Sequence, residues 1–267
     1  MLTRKKENPM SALFAVCTTA LIASLLTLYS GFGLGTLLTP IMAIYFPIEA
    51  AVAMTALVHF ANNLFKLALF AKKADWKVAA VFGLPALAAS FGGAALLVAL
   101  ADLPPLASYT LFGAPHAVTP VKLVVGLLIG LFSLPEITRR IKKRGLPPAL
   151  LPLGGLVSGF FGGLSGHQGA FRSAFLLRLG LAKETFIATG VVVACLVDAA
   201  RLTIYAGHLA APGVADNLPL LLAASACAFA GAFAGARLLG KMTLDGVNRL
   251  VGWMLLALAV LLAAGII

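Results

Sequence analysis

The chain has 267 residues, of which 61% are hydrophobic and 11% charged, with a formal net charge of +11. Soluble domains carry about 25% charged residues, so this chain cannot cover a water-facing surface, and lipid must be the solvent for most of it. That excludes a sizeable soluble domain, and it turns the positive balance from a nucleic-acid signal into a topological one.

A helix needs roughly 18 or more apolar residues to cross a bilayer. In chain order the candidate segments are 12–30, 47–71, 77–101, 118–135, 149–164, 183–206, 217–239 and 247–266. Two shorter apolar stretches, 34–46 and 170–180, follow the first and the fifth. Arg4-Lys5-Lys6 precedes the first segment in the manner of a signal peptide. No small-x-small cleavage site follows, so the segment is expected to stay in the mature protein. The run from Ile137 to Arg144 is basic and has no aromatic residue. It reads as a cytoplasmic loop, and not as a platform for nucleic acid. Cys17, Cys195 and Cys227 all fall in apolar segments without metal-type spacing, so they read as small core residues. No metal, cofactor or catalytic group is expected.

The chain says the same thing twice. Asn63 and Lys66 recur as Asp198 and Arg201, a displacement of 135 residues (198 − 63 and 201 − 66). Thr55 recurs as Thr189, Pro85 as Pro219, and Leu87-Ala88-Ala89-Ser90 as Leu222-Ala223-Ala224-Ser225. Residues 11–136 and 148–267 therefore read as two related transmembrane repeats joined by a basic cytoplasmic linker, 137–147. Each half opens with a segment broken by glycines. The first break is Gly31-Phe32-Gly33-Leu34-Gly35, with Pro40 beyond; the second runs from Gly159 to Gly169. Glycine frees the backbone to turn. Irregular backbone survives at membrane depth only where protein or a watery cavity satisfies it, so matched breaks point to a binding site. If each break turns the chain back as a hairpin, each half has an odd number of segments and the halves are inverted. The loops at 72–77, 136–144, 178–183 and 237–249 then share one side with 13 Lys or Arg, against four on the other. The positive-inside rule favours that arrangement. The expected fold is thus an all-α polytopic membrane protein with two inverted repeats, each a broken hairpin plus three long helices. Gly231 and Gly235, and Ala89 and Gly93, are four apart, the small-residue spacing that lets helices approach in lipid; no chemistry is assigned to them.

Lys66, Arg172 and Arg201 remain once the loop charges are set aside. A charge near the bilayer centre costs roughly 2.5–3.5 kcal/mol and usually faces a pathway or a partner. Lys66 and Arg201 each lie near a segment end, from which they could also snorkel to the interface. Under inversion they would stand toward opposite mouths of a path. His59, Asn62, Asn63 and Lys66 share one helical face. Asp198 and Arg201 read either as an intrahelical salt bridge or as a proton carrier beside a substrate-binding cation. Ser165, His167, Gln168 and Arg172 surround the second break, where backbone N–H groups can form an anion nest and Arg offers a fork of donors. Gly35 and Gly169 in the breaks, with Thr55 and Thr189, complete the expected substrate-binding set. Asp198 and His59 are the expected proton-coupling pair.

With these residues assembled, the chain resembles the TauE/SafE family of sulfite-exporter-type permeases over about residues 11–266. The resemblance rests on the doubled Gly-rich segment, Gly31 to Pro40 and Gly155 to Arg172, and on the small-residue helices around 83–95 and 229–239. It implies a multi-pass carrier of small anions, including sulfite and organosulfonates, in the bacterial inner membrane, using the proton gradient. The chain departs from the family's triple glycine followed by proline: it has Gly33-Leu34-Gly35 with Pro40, then Gly166-His167-Gln168-Gly169 with Ala174 at the proline position. His167, Gln168 and Arg172 are therefore expected to set selectivity. The expected partners are a small anion, protons, the bilayer and a second copy of the chain as a homodimer.

Two rivals compete. Gly163-Leu164-Ser165-Gly166 and His59-x-x-x-Asn63 resemble motifs of rhomboid intramembrane proteases. A Ser nucleophile needs a base within reach, and no His follows His208, which lies before the seventh long segment. An anion channel without coupling is the second. The reading that accounts for the duplication is a secondary active exporter, proton-coupled and working by alternating access.

Overall fold

A computed structural model describes residues 9–30, 33–111, 113–138, 147–209, 215–238 and 245–267. Gly31, Phe32, the basic residues Arg139 to Arg144 and the stretch 239–244 lie outside the described residues. So do Arg4, Lys5 and Lys6. The charge asymmetry expected of those loops is therefore a property of the sequence alone.

The described chain is nearly all helical. Its helices are α1 (Pro9–Ser30), α2 (Gly35–Tyr45), α3 (Ile48–Phe70), α4 (Trp76–Ala101), α5 (Pro120–Thr138), α6 (Leu151–Ser165), α7 (Gln168–Leu176), α8 (Lys183–Leu209), α9 (Leu218–Leu238) and α10 (Asp245–Ala263). All ten apolar segments found in the sequence are helices. Among the described residues six spans are long and apolar enough to cross a membrane, by length and composition: those within α1, α4, α8 and α9, α3 with the turn after it, and α6 with the turn before it. The surface agrees with lipid as solvent. Leu84, Leu127, Leu222 and Val260 point outward, while His59, Asn62, Asp198 and Arg201 are buried.

One element is absent from the expected all-α fold. Strands β1 (Ala107–Leu111) and β2 (Ala114–Val118) form an antiparallel hairpin between α4 and α5. The hairpin is tied to the end of the chain. Tyr109 Oη donates to the Ala264 carbonyl at 2.6 Å, and Gly265 lies against the Ala117 backbone. Its burial does not alternate cleanly, so the period-two signal that identifies a strand is missing.

Small residues decide how the helices meet. Along α6, Gly155, Gly159 and Gly163 face the carbonyls of Phe82, Ala86 and Ser90 on α4, and Gly93 of α4 faces Phe160 O. A Cβ at any of these glycines would run into backbone. Contacts that advance together in both sequences mean that α4 and α6 run parallel. Gly231 of α9 meets Leu21 O of α1 in the same way. Gly126 and Gly130 of α5 face Ala263 and Ala259 of α10, so those two run antiparallel.

The second break is a reversal. Gly166 closes α6 in the left-handed conformation (φ 79°). Gly154, near the start of α6, then lies against the Phe175 ring near the end of α7. Helix α7 therefore folds back along α6. The two breaks also touch: the Gly35 Cα faces both the Gly166 carbonyl and the Thr55 side chain. Helices α3 and α8 cross the centre antiparallel. Asn63 meets Asp198, and Asp75, beyond the end of α3, meets Thr189 near the start of α8.

Candidate functional site

The polar stripe on α3 faces inward. His59, Asn62, Asn63 and Lys66 are all buried, as their i, i+3 and i, i+4 spacing requires if one of them is. Asp198 of α8 stands opposite, fully buried, with both carboxylate oxygens engaged. Oδ2 accepts from His59 Nδ1 at 2.6 Å and Asn63 Nδ2 at 2.8 Å. Oδ1 accepts from Arg201 Nε at 3.0 Å, with Arg201 Nη2 at 2.8 Å and the Gln168 amide at 3.4 Å. A buried charge is tolerated only when paired and hydrogen-bonded, and four neighbours meet that condition here. The cluster joins α3, α7 and α8 at one carboxylate.

A second set ties α3 outward. With the Asn62 amide oriented so that both ends are satisfied, its NH2 donates to Ser24 Oγ of α1 at 3.0 Å and Ala228 O of α9 at 3.2 Å. Its carbonyl then accepts from Lys66 Nζ at 3.1 Å.

Beside this cluster lies a cavity whose empty space, counting the part open to solvent, is about 400 Å³. Its polar wall is His59, Asn63, Lys66, Arg172 and Thr27; Leu34, Phe186, Ile187 and Val191 supply apolar surface, and Gly33 and Gly190 complete it. Among the described residues two cationic side chains line it and no carboxylate does. Asp198 stands behind His59 and Asn63, already saturated. Gly190 lets Arg172 in, because a Cβ there would sit 3.2 Å from its Nε. Gly33 does the same for His59, whose Nε2 would be 2.8 Å from a Cβ. Two buried cations facing one cavity make it a site for negative charge.

Residues 16–262 match the protein family described as "Sulfite exporter TauE/SafE". The chain belongs to that family. No curated protein matches the sequence. TauE/SafE membership implies a multi-pass membrane protein that exports sulfite or a related anion.

Within this TauE/SafE chain the expected site residues separate into two groups. Lys66, Arg172, His59 and Asn63 line the cavity. Arg201, Gln168, Ser165, His167, Asn62, Gly35, Gly169, Thr55 and Thr189 are not part of its lining. Arg201 is spent on Asp198, so the salt-bridge reading of that pair is the one seen. Neither Lys66 nor Arg201 snorkels: their exposures are 5% and 1%. Nor do they hold opposite mouths, since Arg201 sits in the central cluster. Thr189 Oγ1 accepts from the Asp75 backbone N–H at 3.0 Å and so steadies the start of α4.

The residues of the second break hold its shape. Ser165 Oγ donates to Phe161 O at 3.0 Å, and His167 Nδ1 lies 2.8 Å from the Ser165 carbonyl. Of the four residues expected to make an anion nest, only Arg172 reaches the cavity. Two buried atoms there, His167 Nε2 and Gln168 Oε1, have no partner among the described residues. The rhomboid geometry is not met at Ser165. Its hydroxyl proton is committed to Phe161 O, and Nδ1 of His167, 3.2 Å away, bonds the Ser165 carbonyl instead.

Sequence reasoning passed over Thr27, Phe186, Ile187, Gly190 and Val191. Gly190 carried a signal, being the only glycine inside the α8 sequence before Gly207. The others are ordinary apolar or hydroxyl residues.

Proposed function

We propose that the protein is a secondary carrier of a small anion, a sulfite, sulfonate or similar oxyanion, in the bacterial inner membrane. The observation that carries this is the cavity lined by Lys66 and Arg172, with no carboxylate among the described residues of its wall. Arg172 binds the anion with its fork of donors. Lys66 supplies the second positive charge, and Asn63 and His59 complete the polar wall. Arg201, Gln168 and Asn62 hold that wall in place by fixing Asp198 and Lys66. Coupling to protons is assigned to the His59–Asp198 pair.

The carrier is built from two inverted halves, residues 11–136 and 148–267. Three observations support this. The helix pairs α1/α9 and α6/α4 exchange when the halves are swapped. The equivalent helices α3 and α8 run antiparallel, as do α5 and α10. The second break reverses the chain, which makes the number of crossings in the second half odd. Alternating access then comes from one half rocking against the other about the touching breaks.

Transport of labelled sulfite and of an alkylsulfonate into proteoliposomes tests the assignment. An Arg172→Ala variant that inserts normally should lose at least tenfold in apparent affinity, the scale of removing one member of a buried charged contact. Undiminished flux would remove Arg172 from the site.

A further inference from the structure

His59 has two ring nitrogens with different surroundings. Nδ1 lies 2.6 Å from Asp198 Oδ2. Asp198 is paired with Arg201 and so is ionised, and an ionised carboxylate only accepts. Nδ1 therefore carries the proton in the neutral ring, and the lone pair is on Nε2. Asn63 Nδ2 gives one hydrogen to Asp198 at 2.8 Å; it stands 3.0 Å from Nδ1 and 3.5 Å from Nε2, so its other hydrogen makes at most a long contact with Nε2. Nε2 lies over the Gly33 backbone, and both His59 and Gly33 line the cavity. Nε2, held at most by that long contact, thus opens onto the same space as Lys66 and Arg172.

From this arrangement we infer that the proton and the anion occupy one cavity together, the proton on His59 Nε2, and that they cross the membrane in the same direction. The inference rests on the anion-site reading above and adds the sign of the coupling. A proton from solvent adds to Nε2, the Nδ1–H bond to Asp198 stays, and the wall gains a third positive charge. An anion in the cavity and a proton on Nε2 attract one another, so each binds better when the other is present, by the same factor. Asp198 and Arg201 on α8, Arg172 on α7, Lys66 on α3 and His167 at the break are the titratable or charged groups around this ring. Helices α1 and α2 contain no charged residue, and α9 contains only Arg237 in its last turn. Of these groups Asp198 alone favours the protonated ring, and the anion supplies the second negative charge. Export by such a carrier runs on the anion's own gradient and not on the inward proton gradient, which would oppose it.

The test uses ethanesulfonate, which stays ionised throughout, alongside sulfite. Calorimetric titration of the purified protein in buffers of different ionisation enthalpy counts protons taken up per anion bound. The wild type should take up one proton, and its affinity for ethanesulfonate should rise by up to about tenfold per pH unit as the pH falls. His59→Asn and His59→Gln should bind the anion with an affinity that does not depend on pH, and with no proton uptake. In proteoliposomes an inward ethanesulfonate gradient should acidify the lumen for the wild type and not for either variant. Zero uptake or proton release by the wild type overturns the inference, as does uptake retained by both variants; anion binding would then still stand. Failure of both anions to bind the wild type at any pH brings down the anion-site reading with it.

Discussion

Asp198 is the residue on which the site turns. Its carboxylate meets His59, Asn63, Gln168 and Arg201, so Asp198→Ala leaves several buried donors and one cation unmatched. Breaking a buried pair from one side costs about 3–5 kcal/mol. The variant is expected to lose most of its thermal stability, read as a melting temperature in detergent. Ser165→Ala makes the opposite prediction: it removes one hydrogen bond to Phe161 O and should leave anion flux within a few-fold of wild type. Complete loss of flux would reopen the nucleophile reading of Ser165. Gly166→Ala tests the reversal. A side chain at φ 79° costs about 1–2 kcal/mol, and its Cβ would sit 2.8 Å from Arg201 Nη1. Gly190→Val should leave stability closer to wild type and weaken anion binding, because the branched side chain displaces Arg172. At this scale the sequence was informative about charge and poor about position. Lys66 and Arg172 stood out because intramembrane cations are rare; the apolar wall of Phe186, Ile187 and Val191 did not, because such residues are everywhere in this chain.

At the level of elements, α6 is the clearest case of sequence dictating packing. Its glycines recur every four residues, at 155, 159 and 163, so one face of the helix has no side chains. Helix α4 lies against that face close enough for carbonyl contact. In lipid there is no hydrophobic drive to bring helices together, and close backbone approach supplies the attraction instead. Gly159→Leu is expected to destabilise by at least the ~1–3 kcal/mol typical of overpacking, and to separate α4 from α6 in crosslinking between cysteines placed along them. The β1–β2 hairpin shows the opposite case. Its strands lack alternation, and Pro104, Pro105 and Gly113 mark only a loop. What makes the hairpin is its attachment to Ala264 and Gly265, 155 residues away at Tyr109.

For the molecule as a whole, the proposed inverted arrangement makes a topological prediction. With Cys17, Cys195 and Cys227 replaced, single cysteines at Lys73 and Lys183 should react with a membrane-impermeant reagent from one side of the membrane, and a cysteine at Ser108 from the other. Labelling of Lys73 and Lys183 from opposite sides would rule out inversion. The fold was legible to this extent because the displacement of 135 residues pairs α3 with α8. That the second break turns back was favoured only indirectly, through the distribution of loop charge. Glycine permits a reversal as readily as a kink, and it is packing between α6 and α7, Gly154 against Phe175 and Phe161 on Phe171, that separates them.

Sequence alone determined that the chain lives in lipid, that it is built of ten apolar helical segments, and that its few buried charges lie on helices repeated 135 residues apart. Composition and periodicity carry these facts because they depend on how each residue meets its solvent and its own helix. Tertiary structure decided which buried cations serve the cavity. Arg201 is one turn from Asp198 on the same helix and is neutralised there, whereas Arg172 is folded back by the α6–α7 reversal and reaches the cavity. The difference is one of distance between groups far apart in sequence, and no local pattern encodes it.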